Sequence, residues 1–163
     1  MAKRVGVLAV YVTSHGYGHM NRAVAVVNEV PRDVPVVIRS SADLFPNWRE
    51  RLTRPADLSE HVSDAGAVNP IGGSGTTDAA ATLERAIRVH REAVARVDDD
   101  AKWLRDAGVA AVLSDGPPLP LEAAARAGVP GWLLANFTWH DIYAPYARRA
   151  GPEAGRLASD YKA

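Results

Sequence analysis

A glycine-rich turn near the start of the sequence carries groups that suit acid–base chemistry. His15 and His19 flank the glycine pair Gly16 and Gly18, and Arg22 follows three positions later. The glycines allow a tight turn and close approach to a ligand, and a helix starting there offers free N–H groups to phosphate or an oxyanion. The histidines are candidate bases and Arg22 is a candidate anion clamp. The alternative is a purely structural strand-to-helix turn with Arg22 in solvent.

A second candidate is the acidic turn that runs from Ser114 through Asp115 to Pro118. A carboxylate at the end of a strand can orient an imidazole and stabilise its charged form. The alternative is that Asp115, or Ser114, only caps the helix that follows.

A third candidate is the aromatic segment from Asn136 to Tyr143. Aromatic faces beside polar groups suit a sugar ring, which is apolar on its faces and hydroxylated at its edge. The alternative places Trp139 and Tyr143 in the core and gives Thr138 or Asp141 a helix-capping role.

Composition excludes several classes of function. The 163 residues suffice for one domain, and 19 basic residues balance 19 acidic ones, so nothing favours binding to nucleic acid or to an anionic membrane. The absence of cysteine excludes disulfides, thiolate catalysis and cysteine-based zinc sites, and it suits a reducing, cytoplasmic compartment. The sequence contains no apolar run long enough to span a membrane.

Buried strands alternating with helices predict an α/β fold, a Rossmann-like doubly wound parallel sheet with its first strand at the centre. Strands are expected at 5–12, 34–38, 58–62, 109–113 and 132–137, and helices at 19–29, 43–52, 78–107, 120–126 and 141–149. Ligands of such sheets bind at the carboxyl ends of the strands, where all three candidate segments lie. The glycine-rich segment 72–75 lacks the ending of a P-loop and indicates a flexible loop.

One apolar stripe defines the predicted helix 78–107, because its residues recur at steps of four and three. The stripe comprises Leu83, Ile87, His90, Val94, Val97, Ala101 and Leu104. We interpret His90 as a hydrogen-bonded core histidine rather than a ligand.

The three candidate segments together resemble the signatures of a GT-B glycosyltransferase-like family, which includes bacterial proteins and the glycosyltransferase-like region of plant arabinokinases. The matching stretches are 15–22, with the order His-Gly-Tyr-Gly-His-x-x-Arg, then 114–130 and 136–143. A weaker match is Asp78 with Thr82 and Leu83. The resemblance covers almost the whole chain.

The resemblance implies the acceptor-side, N-terminal half of a metal-independent enzyme without a cofactor. It implies that His19 is the general base, that Asp115 orients it, and that His15 is the rival base. The residues implied to bind substrate are Gly16, Gly18, Arg22, Asn136, Thr138 and Trp139. The family's Trp-Asp is here Trp139-His140, so its acidic contact is lost or moved to Asp141.

We assign residues 1–150 to the acceptor-side domain and 151–163 to the start of a linker helix, with no donor-binding domain in the sequence. We therefore expect no sugar transfer by this chain alone. Its partners would be a nucleotide-sugar donor, a small-molecule or glycan acceptor and either a separate donor-domain chain or a second copy.

Two alternatives remain at this stage. The first is a non-catalytic sugar- or nucleotide-binding module of the same fold. The second is an NADP-dependent oxidoreductase, in which Arg39, at the end of the second strand, would contact the cofactor's extra phosphate. Asn21 stands where a dinucleotide-binding turn has its third glycine, which argues against the second alternative.

Overall fold

Five parallel strands form one sheet in the computed structural model, which describes residues 6–69, 77–148 and 150–161. The strands are β1 (Val7–Val12), β2 (Val36–Ser40), β3 (Asp57–Glu60), β4 (Val109–Asp115) and β5 (Gly131–Leu134), in the order β3-β2-β1-β4-β5. The first strand is central, as predicted, because its continuous apolar run is covered on both faces.

Seven α-helices connect and follow the strands in the described part of the chain. They are α1 (Tyr17–Glu29), α2 (Phe45–Arg51), α3 (Ala79–Ala95), α4 (Val97–Asp106), α5 (Leu119–Ala127), α6 (Trp139–Ala147) and α7 (Pro152–Asp160), with a short 3₁₀ helix at Ala42–Leu44. The helices cover both faces of the sheet, so the predicted Rossmann-like doubly wound architecture is confirmed.

Alternate residues of β1 feed two separate cores. Val10 and Val12 pack beneath α1 and α2, whereas Ala9 and Tyr11 pack beneath α4 and α5. A third cluster joins α3, α6 and α7 beyond the sheet. Because successive side chains of a strand point to opposite faces, the register of β1 and β4 decides which residues meet each helix layer.

The predicted long helix is two helices. The helix is interrupted at Arg96, where the backbone N–H bonds to the carbonyl of Ala93, and a new helix begins in α4. The Arg96 side chain donates to the carbonyl of Val62 at 2.7 Å, and three aspartates follow in the first turn of α4, where they favour a new helix start. Val94, predicted on the apolar stripe, is 48% exposed as a result.

The remaining boundaries differ by a few residues from the prediction, most clearly in β5, which ends at Leu134 rather than 137. The segment 72–75, expected to be flexible, lies outside the described residues, as does position 149 of the expected last helix. None of the helices in the described part combines the length and apolar character needed to cross a bilayer.

A buried polar cluster ties α4 to the sheet. The guanidinium of Arg39 donates to the Tyr11 hydroxyl at 2.8 Å and to Asp100 at 3.2 Å, and it lies 4.1 Å above the ring of Trp103. His61 contacts the same Asp100 carboxylate at 2.9 Å. The Arg39 guanidinium thus lies in the protein interior, where it binds Tyr11 and Asp100.

This placement weighs against the alternative of an NADP-dependent enzyme. In that alternative Arg39 would meet the cofactor's phosphate, but it is buried against α4. The hypothesis of an NADP site therefore loses the cation on which it depended.

We expect Asp100→Ala to lower the free energy of unfolding by about 3–5 kcal/mol, because it leaves the Arg39 charge buried without a partner. The matched control is Asp99→Ala, which changes an exposed residue of the same helix turn and should cost about 1 kcal/mol or less. Urea unfolding followed by tryptophan fluorescence measures both. Equal losses in the two variants would contradict the assignment.

Candidate active site

The candidate site forms where α1 faces the carboxyl end of β4. Asp115 ends β4 in register with Val12, whose side chain points towards the α1 layer, so the Asp115 carboxylate points the same way. His19 and Arg22 lie one turn apart on α1 and therefore share the face that meets it. The fold thus joins the glycine-rich turn to the acidic turn, although 96 positions separate His19 from Asp115, and Arg22 also reaches Asn136 of the aromatic segment.

His19 makes the contact that the sequence suggested. Its Nδ1 lies 2.7 Å from Oδ1 of Asp115, and the carboxylate is fully buried. A carboxylate only accepts, so Nδ1 carries the hydrogen and Nε2 of the neutral ring keeps a lone pair. The imidazole is therefore oriented with a basic nitrogen away from the carboxylate.

Arg22 holds the same carboxylate from its other side. Nε donates to Oδ2 at 2.8 Å and Nη2 donates to Oδ1 at 2.5 Å, which is a bidentate pair. Further bonds reach Oδ1 of Asn136 at 3.0 Å and the carbonyl of Leu134 at 3.2 Å. Arg22 is thus neither solvated nor an open anion clamp, because most of its donors are used within the protein.

These contacts control the ionisation of Asp115. Burial alone would raise the pKa of the carboxyl, but the hydrogen bonds from Arg22 and His19 outweigh it and bring the pKa below its usual value. Asp115 is therefore a carboxylate at neutral pH. It is not a helix cap, since α5 begins after Pro118 without a side-chain cap.

His15, the rival base, occupies a different position. Its ring lies against the backbone of Gly66, where a Cβ atom would fall 1.8 Å from Nδ1, and it meets the edge of Trp139 with ring centres 5.6 Å apart. Burial and the nearby His19 and Arg85 lower its pKa, which favours the neutral ring. The hydrogen bond to Asp115 belongs to His19.

The two glycines of the turn leave the start of α1 open. Gly16 has φ +86°, a conformation that favours glycine, and no side chain caps the helix there. A Cβ atom at Gly18 would meet nothing within 4 Å. The first N–H groups of α1 are consequently accessible to a ligand.

The aromatic segment divides between the core and the cleft. Trp139 is 3% exposed and stacks on the buried Tyr143, so it offers no open face to a sugar. Phe137 is 45% exposed and meets His19 edge-on at 6.1 Å. Phe137 is thus the aromatic residue of this segment that borders the base.

Thr138 and Asp141 form the start of α6. The backbone N–H and the hydroxyl of Thr138 both donate to the Asp141 carboxylate, at 2.8 and 3.1 Å. The capping interpretation is therefore correct for this pair. The side-chain oxygen of Asn136 is likewise engaged, because it accepts from Arg22.

Sequence reasoning missed Asp64. It lies beyond β3, is 3% exposed, and its Oδ2 accepts the indole N–H of Trp139 at 2.5 Å. Burial raises the pKa of Asp64 to about 6, although hydrogen bonds from Trp139 and Thr13 oppose the rise. Its weak strand and irregular loop gave no pattern by which to place it.

A small apolar hollow of about 190 Å³ opens beside this site. It lies between α5, β5 and the start of α6, and its lining includes Pro118, Leu121, Leu133, Trp139 and Tyr161. An apolar cavity of this order can hold one small hydrocarbon ring.

The pKa of Asp64 predicts a pH-dependent stability. The folded pKa of about 6 exceeds the reference value of 3.8, so the stabilising contribution is present below that reference value and is lost as pH rises through about 6. We expect Asp64→Asn to gain stability relative to the wild type between pH 4 and 7, by up to about 3 kcal/mol. Urea midpoints across this range measure it, and exposed Asp33→Asn is the control. A pH-independent difference for Asp64→Asn would contradict the prediction.

Known proteins resemble this chain in sequence and in fold. It is 33% identical to L-arabinokinase of Arabidopsis thaliana over 95% of this chain and 15% of that protein. The glycosyltransferase of kitacinnamycin has a TM-score of 0.57 at 16% identity, over 95% of this chain and 38% of its own. The calicheamicin glycosyltransferase CalG4 has a TM-score of 0.56 at 16% identity, over 98% and 42%.

No protein-family model matches the chain. The chain spans 15% of L-arabinokinase and less than half of either glycosyltransferase, 38% and 42%. The helix-flanked parallel sheet is the Rossmann-like half-fold that these structures share with it. The fold and the sequence similarity thus confirm the resemblance to GT-B glycosyltransferase-like proteins that the motifs indicated.

Proposed function

We propose that this chain is the acceptor-side half of a glycosyltransferase, with His19 as general base. The observation that carries the proposal is the 2.7 Å contact between His19 Nδ1 and the buried Asp115 carboxylate. It leaves Nε2 of His19 available to an acceptor hydroxyl, which is the geometry that general base catalysis needs.

The proposed reaction is a direct displacement at the anomeric carbon of a nucleotide sugar. Nε2 of His19 takes the proton of the acceptor hydroxyl while the hydroxyl oxygen forms a bond to the anomeric carbon. The bond from that carbon to the nucleoside diphosphate breaks, and the diphosphate leaves with the electron pair. Asp115 stabilises the imidazolium that forms, and no metal or cofactor enters this scheme.

Donor phosphate would lie over the turn at Gly16 and Gly18. The uncapped first turn of α1 presents N–H groups and the positive end of the helix dipole. Since the chain matches 38% and 42% of the two glycosyltransferases, we propose that a second Rossmann-like domain binds the rest of the donor. That domain would belong to the same polypeptide or to a separate chain, in the cytoplasm.

The acceptor would lie between Phe137 and the apolar hollow. Phe137 borders His19 and is half-exposed, and the hollow begins at Gly116, directly after Asp115. An apolar portion of the acceptor of about one ring would fit there. Trp139 and Thr138 would act as the wall rather than as direct contacts.

The second candidate function is a sugar- or nucleotide-binding module without turnover. It is favoured by the ion pair of Arg22 with Asp115, because that pair alone explains a buried aspartate structurally. Binding of a nucleotide sugar by the complete protein, with no transfer to any acceptor and no effect of His19→Ala, would support it.

In a complete enzyme that supplies the donor half, we expect His19→Ala to lower the rate of transfer about 10²–10⁴-fold. Asp115→Asn should also lower kcat, because the amide can turn its NH2 group towards His19 Nδ1. That group is a donor and disfavours the tautomer with hydrogen on Nδ1. Release of nucleoside diphosphate measures the rate. His140→Gln, which alters a histidine packed between α6 and α7, is the control. A folded His19→Ala enzyme of near-normal rate would exclude His19 as the base.

For the 163-residue chain alone, we expect no turnover with common UDP-, GDP- or dTDP-sugars, because the described site holds groups for only one side of the reaction. The same release assay tests this. Acceptor-dependent release of nucleoside diphosphate by the purified chain, abolished by His19→Ala, would show the expectation to be wrong.

A further inference from the structure

Asp64 is a buried carboxylate that makes no salt bridge with any residue in the described ranges. Its hydrogen-bond donor is the neutral indole N–H of Trp139 at 2.5 Å, and the side chain of Thr13 lies nearby. A buried charge without a cation costs free energy, and a neutral acceptor would satisfy the same donor more cheaply. Because Asp64 lies among three loops at the carboxyl edge of the sheet, it can hold residues of the candidate site in place.

Thr13 lies beside Asp64 at the start of the glycine-rich turn. Its hydroxyl oxygen accepts the backbone N–H of His15 at 3.2 Å, and its own backbone N–H donates to the carbonyl of Asp115 at 3.1 Å. These two bonds hold the start of the turn that carries both histidines.

Trp139 connects Asp64 to the aromatic wall. Its ring meets the edge of His15 at 5.6 Å and that of Phe137 at 6.2 Å, and Phe137 in turn meets His19 at 6.1 Å. The bond from the indole to Asp64 fixes the plane of the Trp139 ring, on which both contacts depend. Asp64 thus reaches His15 through Trp139, and it reaches His19 through Trp139 and Phe137.

We propose that Asp64 is a positioning residue, which fixes the ring of Trp139 and through it the imidazole of His15 and the aromatic wall beside His19, without touching substrate. Its importance for catalysis rests on the proposed function, whereas its effect on Trp139 and His15 does not. Other titratable groups face it: His19 and Asp115 across the cleft, and the hydroxyls of Tyr143 and Tyr161.

The test is NMR of the Trp139 indole N–H and of the His15 imidazole in the purified chain, without substrate. Asp64→Ala should speed hydrogen exchange of the indole N–H about tenfold and shift the His15 ring signals, because the indole loses its acceptor and the His15 ring loses a fixed neighbour. Asp64→Asn retains an acceptor for the indole and should restore most of both signals. The tautomer of His19 should not change, because Asp115 sets it.

A matched control separates positioning from mere stability. Thr82→Val removes the hydroxyl that accepts the N–H of Val68 at 2.9 Å, at the other end of the loop that contains Asp64. It should lower the melting temperature while leaving the Trp139 and His15 signals unchanged. If Asp64→Ala does not fold, Asp64→Leu removes the acceptor while filling a similar volume, and it must produce the same changes at Trp139 and His15.

Wild-type Trp139 and His15 signals in folded Asp64→Ala, or in Asp64→Leu where Asp64→Ala does not fold, would overturn the proposal. In the complete enzyme, Asp64→Ala should lower kcat more than it raises KM for the acceptor, and Asp64→Asn should recover kcat. Shifted imidazole signals without any sugar transfer by the wild type would refute the proposed function and keep the positioning role. Normal transfer by both Asp64 variants would refute the positioning role in catalysis and leave the proposed function standing.

Discussion

The buried carboxylate of Asp115 is the constraint on which the rest of the site depends. A carboxylate without water must have its lone pairs answered by donors, and here Arg22 supplies two and His19 a third. Arg22 also reaches Asn136 and the carbonyl of Leu134. One ion pair therefore joins α1 to the ends of β4 and β5, and His19 is held in place by the same group.

The Asp115 carboxylate stabilises the fold through its ion pair with Arg22, and it also orients His19. These two roles compete for its negative charge. Arg22 neutralises part of the charge that would otherwise stabilise an imidazolium, so orientation of His19 becomes the main contribution of Asp115. A second carboxylate, Asp64, is also buried, and its hydrogen-bond donor is the neutral indole N–H of Trp139. The cleft thus contains one acid that is fixed by a cation and one that is kept by hydrogen bonds alone.

Patterns that repeat along the chain predicted the sheet well, because burial on both faces gives β1 and β4 continuous apolar runs. The meeting of His19 and Asp115 also followed from the sequence, since parallel strands bring their carboxyl-end loops together. The break at Arg96 did not, because it depends on a tertiary bond to the carbonyl of Val62. Asp64 was not predicted for the same reason: its partner, Trp139, comes from a distant segment, and no pattern near Asp64 in the sequence indicates a site.

The close approach of His15 to Gly66 links two positions that are far apart in sequence. A Cβ atom at Gly66 would lie 1.8 Å from Nδ1 and 1.9 Å from Cγ of the His15 ring, so any larger residue must displace the imidazole. The residue that position 66 can accept therefore depends on the residue at position 15, and the reverse also holds. Among descendants of this sequence that retain His15 in its present seat, position 66 is restricted to glycine. A lineage that replaces Gly66 must displace or replace the His15 side chain, so the two positions are expected to vary together.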